Sequence, residues 1–264
     1  MLWQAAYPTP EHRRAAESIV EHFAAADPVE AVLLTNSCAR GQATRDSCLD
    51  MAVLVHPDLP RVDRHGLERT WEAFRETNEV IRALLGAEQY SEVHLDIVNG
   101  AFASVERDEA AGPDGFELGI GNLLVYSRPL LLPGDYLERL KQQWLPYYGE
   151  TLRRERLDMV RRYCLNNLHH IPGYVARGLY FQSFDRLYNA YREFLQALFI
   201  ARRTYPLAYN KWIREQLEEI LGLPELYEQL PRLFEIKHFE GSELAEKGEA
   251  IERLLETYAP PADS

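Results

Sequence analysis

Two uninterrupted apolar runs near the start of the chain limit its fold more than any other feature. Residues 31–35 read AVLLT and residues 49–55 read LDMAVLV, and turn-forming residues bound both runs. Runs of this length, rich in branched aliphatic side chains, are typical of buried strands. A third run, VHLDIV at residues 93–98, has the same character. The N-terminal part of the chain is therefore predicted to contain a sheet.

Apolar residues recur at helical spacing on either side of the first two runs. Residues 10–26 and residues 66–85 show this pattern, so each segment is predicted to form a helix beside the sheet. Residues 116–134, FELGIGNLLVYSRPLLLPG, follow a GPDG loop and are interpreted as one or two further strands.

The pattern changes near Tyr136, where glycine becomes sparse and long helical segments begin. We therefore expect an α+β protein. A small mixed sheet with flanking helices would occupy residues 1–134, and an all-helical bundle would occupy residues 135–264. The clearest helix covers residues 183–203, and its predicted apolar face comprises Phe184, Leu187, Tyr188, Tyr191, Leu195, Leu198 and Phe199.

The composition excludes a disordered chain, because 46% of the residues are hydrophobic. No apolar run approaches the roughly 20 residues that a membrane-spanning helix needs. The N-terminal sequence MLWQAAYPTPEHRR lacks the basic and apolar regions of a signal peptide. The three cysteines provide neither a disulfide framework nor zinc-finger spacing. A cytoplasmic protein without a membrane partner is therefore expected.

The formal net charge of −12 argues against a nucleic-acid partner. The charge is unevenly distributed, because residues 150–215 carry twelve Lys and Arg against six Asp and Glu. A basic middle in an acidic chain suits a site for a small anion. Taken singly, each of these arginines is equally expected on a solvated helix face.

Two of the predicted strands carry an acid within an apolar run. Side chains alternate between the faces of a strand, so Cys48 and Asp50 share one face, and His94 and Asp96 share a face of another strand. A lone buried acid is costly unless it is paired or bound to a metal. Two facing acids would suit Mg²⁺, which takes few carboxylates and keeps phosphate oxygens as ligands. The polar turn that precedes Asp50 offers backbone N–H groups and the Ser37 hydroxyl to a phosphate.

The stretch NSCARGQATRDSCLDMAVLV, residues 36–55, resembles the signature of the polymerase β-like nucleotidyltransferases. That signature has a Gly-Ser turn, often Ala-Arg-Gly, then Ser-Asp-x-Asp at the start of a strand, and a third acid on a later strand. Asp96 falls where the third acid belongs. The residues that match without a gap are Ser37, Ala39, Arg40, Gly41, Ala43, Asp46, Ser47, Leu49 and Asp50.

The resemblance implies a nucleotidyltransferase-like fold for the N-terminal domain. It also implies that a nucleoside monophosphate passes from ATP, or another nucleoside triphosphate, to a hydroxyl of a small-molecule acceptor. Two Mg²⁺ ions, with Mn²⁺ as the alternative, would bind Asp50, Asp96 and Asp46. Asp96 would also help to deprotonate the acceptor. The nucleotide would be held by Asn36, Ser37, Arg40 and Lys211.

The helical half is similar to the substrate domains of aminoglycoside- and lincosamide-type members, through the sequence YNKW at residues 209–212. Lys211 in this motif could reach the triphosphate as a point charge, and an ordinary exposed lysine is equally compatible with the pattern. Tyr205 and Tyr209 flank the turn TYPLAY and are predicted to line a substrate cleft between the domains.

The chain departs from the family pattern at two positions. Asn36 replaces a glycine, which is a mild change because asparagine tolerates a positive φ better than most residues. Cys48 replaces the first acid of the pair, and a thiol that is mostly protonated at pH 7 is a poor ligand for Mg²⁺.

Three accounts of Cys48 follow. Asp46 could replace the missing carboxylate. The site could work with one metal contact fewer, or with a softer metal that accepts the Cys48 thiolate and the His94 imidazole. Alternatively, catalysis is lost, and the domain binds nucleotide or a protein partner as a sensor or scaffold. The sequence leaves a homodimer open in each case.

Overall fold

The computed structural model of the chain describes residues 4–86, 91–105 and 108–262. Its elements, in chain order, begin with α1 (Pro10–Phe23), β1 (Val29–Leu34), α2 (Asn36–Arg40), β2 (Leu49–Val55), α3 (Arg61–Thr77), α4 (Glu79–Leu85), β3 (Val93–Val98), α5 (Phe116–Ile120) and β4 (Arg128–Leu131). They continue with α6 (Tyr136–Trp144), α7 (Glu150–Ala176), α8 (Tyr180–Ala201), α9 (Ile213–Glu215), α10 (Pro224–Tyr227) and α11 (Glu243–Tyr258).

These elements form two compact units. The sheet unit consists of residues 1–103 and 120–144, and the helical unit consists of residues 104–119 and 145–264. Segment 104–119 therefore belongs to the helical unit although it lies between two parts of the sheet unit in sequence. The division between residues 134 and 135 stays a prediction.

The sheet unit contains a mixed sheet with the strand order β3-β2-β1-β4. β1 is antiparallel to both β2 and β4, whereas β2 and β3 are parallel. Every residue of β1 and β2 is buried except Glu30 and Asp50, which are half-buried. The flanking helices contribute Ile19, Trp71 and Ile81 to the same apolar core as the strands. The predicted α+β architecture, with a mixed sheet, flanking helices and a helical C-terminal region, is confirmed.

The interpretation of residues 116–134 as one or two strands is wrong for its first half. Residues 116–125 form α5 and one π-helical turn, and only Arg128–Leu131 is a strand. The Asp114 carboxylate accepts the Phe116 N–H at 3.1 Å and so starts the helix in the manner of an N-cap. Phe116, Ile120 and Leu124 are buried. Their four-residue spacing is helical.

Three long helices, α7, α8 and α11, supply most of the apolar core of the helical unit. Gly248 of α11 lies close to α7, because a Cβ at this position would be 3.3 Å from the Ile171 side chain. Across the described residues, no helix has the length and apolarity needed to cross a membrane.

Five of the seven residues of the apolar face predicted for α8 are buried, and Phe184 is half-buried. Tyr188 is 36% exposed, and its ring lies 6.0 Å from the rings of Tyr191 and Phe234. A tyrosine can cover apolar neighbours with its ring and keep its hydroxyl in water. Tyr188 therefore lies on the predicted face of α8 but outside the buried core.

A buried ionic network centred on Arg156 of α7 joins segment 104–119 to the helices. The Arg156 side chain is 1% exposed. It donates to the Asp114 carboxylate at 2.6 and 2.7 Å and to the Glu117 carboxylate at 2.6 and 3.0 Å. Gln196 of α8 donates to both carboxylates at 2.8 and 2.7 Å, and the Tyr148 hydroxyl donates to Glu117 at 2.7 Å. Each charged group therefore has several partners, as burial of charge requires.

The network changes the ionisation of its members. Burial raises the pKa of Asp114, but the hydrogen bonds and the charge of Arg156 outweigh burial and hold that pKa below its ordinary value. Because the pKa is lowered on folding, the stabilisation from Asp114 is present above the unfolded value near pH 4 and is lost as the pH falls further.

We expect Arg156→Leu to lower the free energy of unfolding by about 3–5 kcal/mol, because it leaves two buried carboxylates without their cation. Arg154→Leu in the same helix is the matched control, since the Arg154 side chain is 54% exposed and its loss should cost less than about 1 kcal/mol. Urea denaturation followed by circular dichroism measures both. Equal losses in the two variants would contradict a central role for Arg156.

Candidate functional site

The segment between β1 and β2 holds most of the residues that the sequence singled out. The N–H of Thr35 donates to the Asp50 carbonyl at 3.0 Å, which ties the end of β1 to the start of β2. Asn36 follows with a φ of +51°, in the left-handed region that asparagine tolerates better than most residues. Gly41 ends α2 with a φ of +71°, and a Cβ there would lie 2.6 Å from the Gln4 carbonyl oxygen. These two positions fix the path of the turn.

The turn that leads into β2 is anchored by residues outside the motif. His12 of α1 is fully buried and lies between the Thr9 hydroxyl, at 2.8 Å from Nδ1, and the Ser47 carbonyl, at 2.9 Å from Nε2. The Ser91 hydroxyl donates to the Arg45 carbonyl at 3.3 Å. His12 and Ser47 are 35 residues apart and belong to no common motif, so no sequence signal indicated that His12 supports this turn.

Asp50 lies opposite His94 rather than opposite a second acid. The parallel pairing of β2 and β3 sets Asp50 beside His94. The Asp50 Oδ1 and His94 Nδ1 atoms are 3.2 Å apart, and the second ring nitrogen of His94 lies 3.1 Å from the Glu92 carboxylate. The Asp50 side chain is 17% exposed and the His94 side chain is 55% exposed. The site thus contains an imidazole between two carboxylates.

Glu92 is the member of this group that sequence reasoning missed. It precedes β3 by one residue, and its two-residue spacing from His94 was the available signal.

Asp96 lies further along the same face. It pairs with Ala52, two residues beyond Asp50, so its Cα is about 8 Å from that of Asp50 by ideal strand geometry. Asp96 is exposed and lines a groove of about 440 Å³ beside α3, together with Arg64 and Arg75. The structure places Asp50 and Asp96 on adjacent strands, with His94 rather than Asp96 in contact with Asp50.

The residues before Asp50 occupy three different environments. Cys48 is half-buried, and its carbonyl accepts the Cys38 thiol at 3.9 Å. Cys38 itself is buried, and burial together with the charge of Asp50 raises the pKa of its thiol to about 12. Asp46 is exposed in the turn, and Ser37 is half-buried. Arg40 is 3% exposed, so its guanidinium is enclosed by protein.

The predicted site residues of the helical unit lie in contrasting positions. Lys211 is exposed, and its carbonyl accepts a hydrogen bond from Gln216 at 3.0 Å. Tyr205 and Tyr209 are each 2% exposed. The Tyr205 ring lies 4.7 Å from that of Tyr147, and burial raises the pKa of both Tyr205 and Tyr209. Both tyrosines contribute to packing inside the helical unit.

The carboxylates do not fit a three-acid Mg²⁺ site in this arrangement. Within residues 4–86, 91–105 and 108–262, no three His, Cys, Asp or Glu side chains lie close enough to hold a metal ion. Asp50 already contacts the His94 imidazole. Asp96 pairs with Ala52, two residues further along β2 than Asp50, and Asp46 lies in the exposed turn.

No family model matches the chain, and no curated protein matches it significantly. The crystal structure of a nucleotidyltransferase-like protein from Exiguobacterium sibiricum 255-15 aligns with 93% of this chain and 74% of that chain. The sequence identity is 16% and the TM-score is 0.45. A similarity at this level does not establish a shared fold or activity.

The positive φ of Asn36 generates a testable expectation for the turn. Asn36→Ala should lower the free energy of unfolding by about 1 kcal/mol, because alanine lacks the short polar side chain that lets asparagine hydrogen-bond locally in the left-handed region. Asn36→Gly, at the same exposed position, should leave that free energy unchanged or slightly higher. Chemical denaturation of the two variants gives the comparison. An alanine variant as stable as the glycine variant would refute this conformation.

Proposed function

We propose that this chain is a nucleotidyltransferase-like protein that binds a nucleoside triphosphate and has lost most of its capacity for nucleotidyl transfer. The observation that carries the proposal is the pairing of Asp50 with His94 beside Cys48. In the family that the sequence resembles, these surroundings would supply carboxylates for metal ions. The chain has the Cys48 thiol in place of one of these carboxylates and the His94 imidazole against Asp50, and both groups are weak partners for Mg²⁺.

The proposed nucleotide site lies at the turn between β1 and β2. Ser37 is half-buried there, and the anchoring of the turn through Thr35, Gly41 and His12 holds its backbone in one path. A preformed turn with a hydroxyl and backbone N–H groups suits phosphate oxygens, because little ordering entropy is lost on binding. Nucleotide binding without transfer would suit a sensor or scaffold.

A second candidate is metal-dependent transfer to a hydroxyl of a small-molecule acceptor. Asp50 and Asp96 on one face of adjacent parallel strands favour it. The His94 side chain is exposed enough to rotate away from Asp50. Asp50 and Asp96 would then be the residues available to a divalent ion, with Asp46 as the further acid.

Calorimetric titration with ATP and the other nucleoside triphosphates, with and without Mg²⁺ or Mn²⁺, separates these candidates. We expect binding that does not require metal, that Asp50→Asn leaves nearly unchanged, and that Ser37→Ala weakens about fivefold through loss of one hydrogen bond. Ser37→Thr, which keeps the hydroxyl, is the control.

Two results would argue against the proposal. Metal-dependent binding that Asp50→Asn abolishes would favour the transferase instead. The absence of triphosphate binding under every condition would exclude a nucleotide site altogether.

Restoration of the missing acid tests the role of Cys48 directly. Cys48→Asp should strengthen Mn²⁺-dependent triphosphate binding about tenfold relative to Cys48→Ser, because it adds a carboxylate on the face of Asp50. Calorimetry and pyrophosphate release measure the gain. If both substitutions instead reduce activity equally, the thiol has its own function and the site is not a weakened metal centre.

A further inference from the structure

The helical unit contains a second concave site, formed by α11 and the short 3₁₀ helix Pro231–Phe234. Its volume is about 450 Å³, within the usual range for pockets that bind small molecules. All of its lining residues belong to the helical unit. It is therefore separate from the turn between β1 and β2, and the nucleotide proposal does not depend on it.

The base of this pocket is apolar. Leu233 and Leu254 line it and are 5% and 8% exposed, and both belong to the core of the helical unit. Tyr258 is half-buried at the end of α11 and adds an aromatic ring to the lining. An apolar group that enters the pocket would therefore meet side chains held in place by the core.

Among the described residues, the charged side chains that line the pocket are all cations. Arg232, Lys247 and Arg253 line it, and no described Asp or Glu does. The Lys247 ammonium donates to the Arg232 carbonyl at 2.6 Å, which fixes it at one wall. Arg253 approaches Glu249 at 3.8 Å, with both side chains about 70% exposed, so this pair is weak.

This cluster stands out against the charge of the whole chain. The protein carries a net charge of −12, yet three cations converge on one pocket. Cations gathered around a low-dielectric wall concentrate a positive potential, which attracts small anions. A nucleic acid needs many more phosphate contacts than three cations supply, and the rest of the surface would repel it.

We propose that this pocket binds a small organic anion, in which a carboxylate, sulfonate or phosphate is attached to an apolar, preferably aromatic, body. The anionic group would contact Arg232, Lys247 and Arg253. The body would lie on Leu233 and Leu254 beside the Tyr258 ring. The ligand class follows from a lining that combines three cations with apolar side chains.

Calorimetric titration of the full chain with three probes tests the proposal. The probes are 2-naphthalenesulfonate, its uncharged sulfonamide counterpart, and inorganic phosphate. We expect the sulfonate to bind at least about tenfold more tightly than either of the others, because only the sulfonate uses both the cations and the apolar side chains.

Substitutions locate the binding site. Arg232→Ala and Arg253→Ala, at exposed arginines of the pocket, should each weaken sulfonate binding about fivefold. Arg202→Ala removes the same charge at an exposed position of the same unit outside the pocket, and should have less than about a twofold effect. Circular dichroism of each variant confirms that it is folded.

Three outcomes would overturn the proposal. The first is no sulfonate binding by the native chain. The second is equal binding of the sulfonate and its uncharged counterpart, and the third is equal weakening by Arg202→Ala and the two pocket substitutions.

Discussion

The buried guanidinium of Arg156 is the interaction on which the helical unit depends. A desolvated cation needs both the Asp114 and the Glu117 carboxylates, and both lie in segment 104–119. That segment lies in sequence between β3 and β4 of the sheet unit, so the chain leaves the sheet to complete the network and then returns. A cut between residues 134 and 135 would separate Arg156 from its acids. The ionic network thus holds together two parts of the helical unit that are separate in the sequence.

Strand register has the corresponding role at the candidate site. In the parallel pair, Asp50 aligns with His94 and Ala52 aligns with Asp96. The side chains of Asp50, His94 and Asp96 share a face because strand residues alternate, but register alone decides which of them touch. The outcome is an imidazole held between two carboxylates. An arrangement of this kind is satisfied without a metal ion, and it favours nucleotide binding over transfer as the proposed function.

The two proposed binding sites share no residues and differ in the charges that surround them. The turn after β1 combines a hydroxyl and an ordered backbone with nearby acids, whereas the pocket beside α11 combines three cations with an apolar base. The two sites lie in different units and can be tested by independent variants. Tyr205 and Tyr209, which the sequence suggested for a substrate cleft, are enclosed in the helical unit and pack there.

Local patterns in the sequence were sufficient for the buried strands and the long helices, because each is set by neighbouring residues. Alternation along each strand also put Cys48 with Asp50, and His94 with Asp96, on a common face. Tertiary structure alone decided the rest. Residues 116–125 became helical once Asp114 capped them and Glu117 bound a cation 39 residues away. The parallel pairing of β2 with β3 aligns His94 with Asp50. His12 hydrogen-bonds to the Ser47 carbonyl, 35 residues away, and so anchors the turn before β2. Contacts at such separations follow from packing and desolvation, which no short-range periodicity encodes.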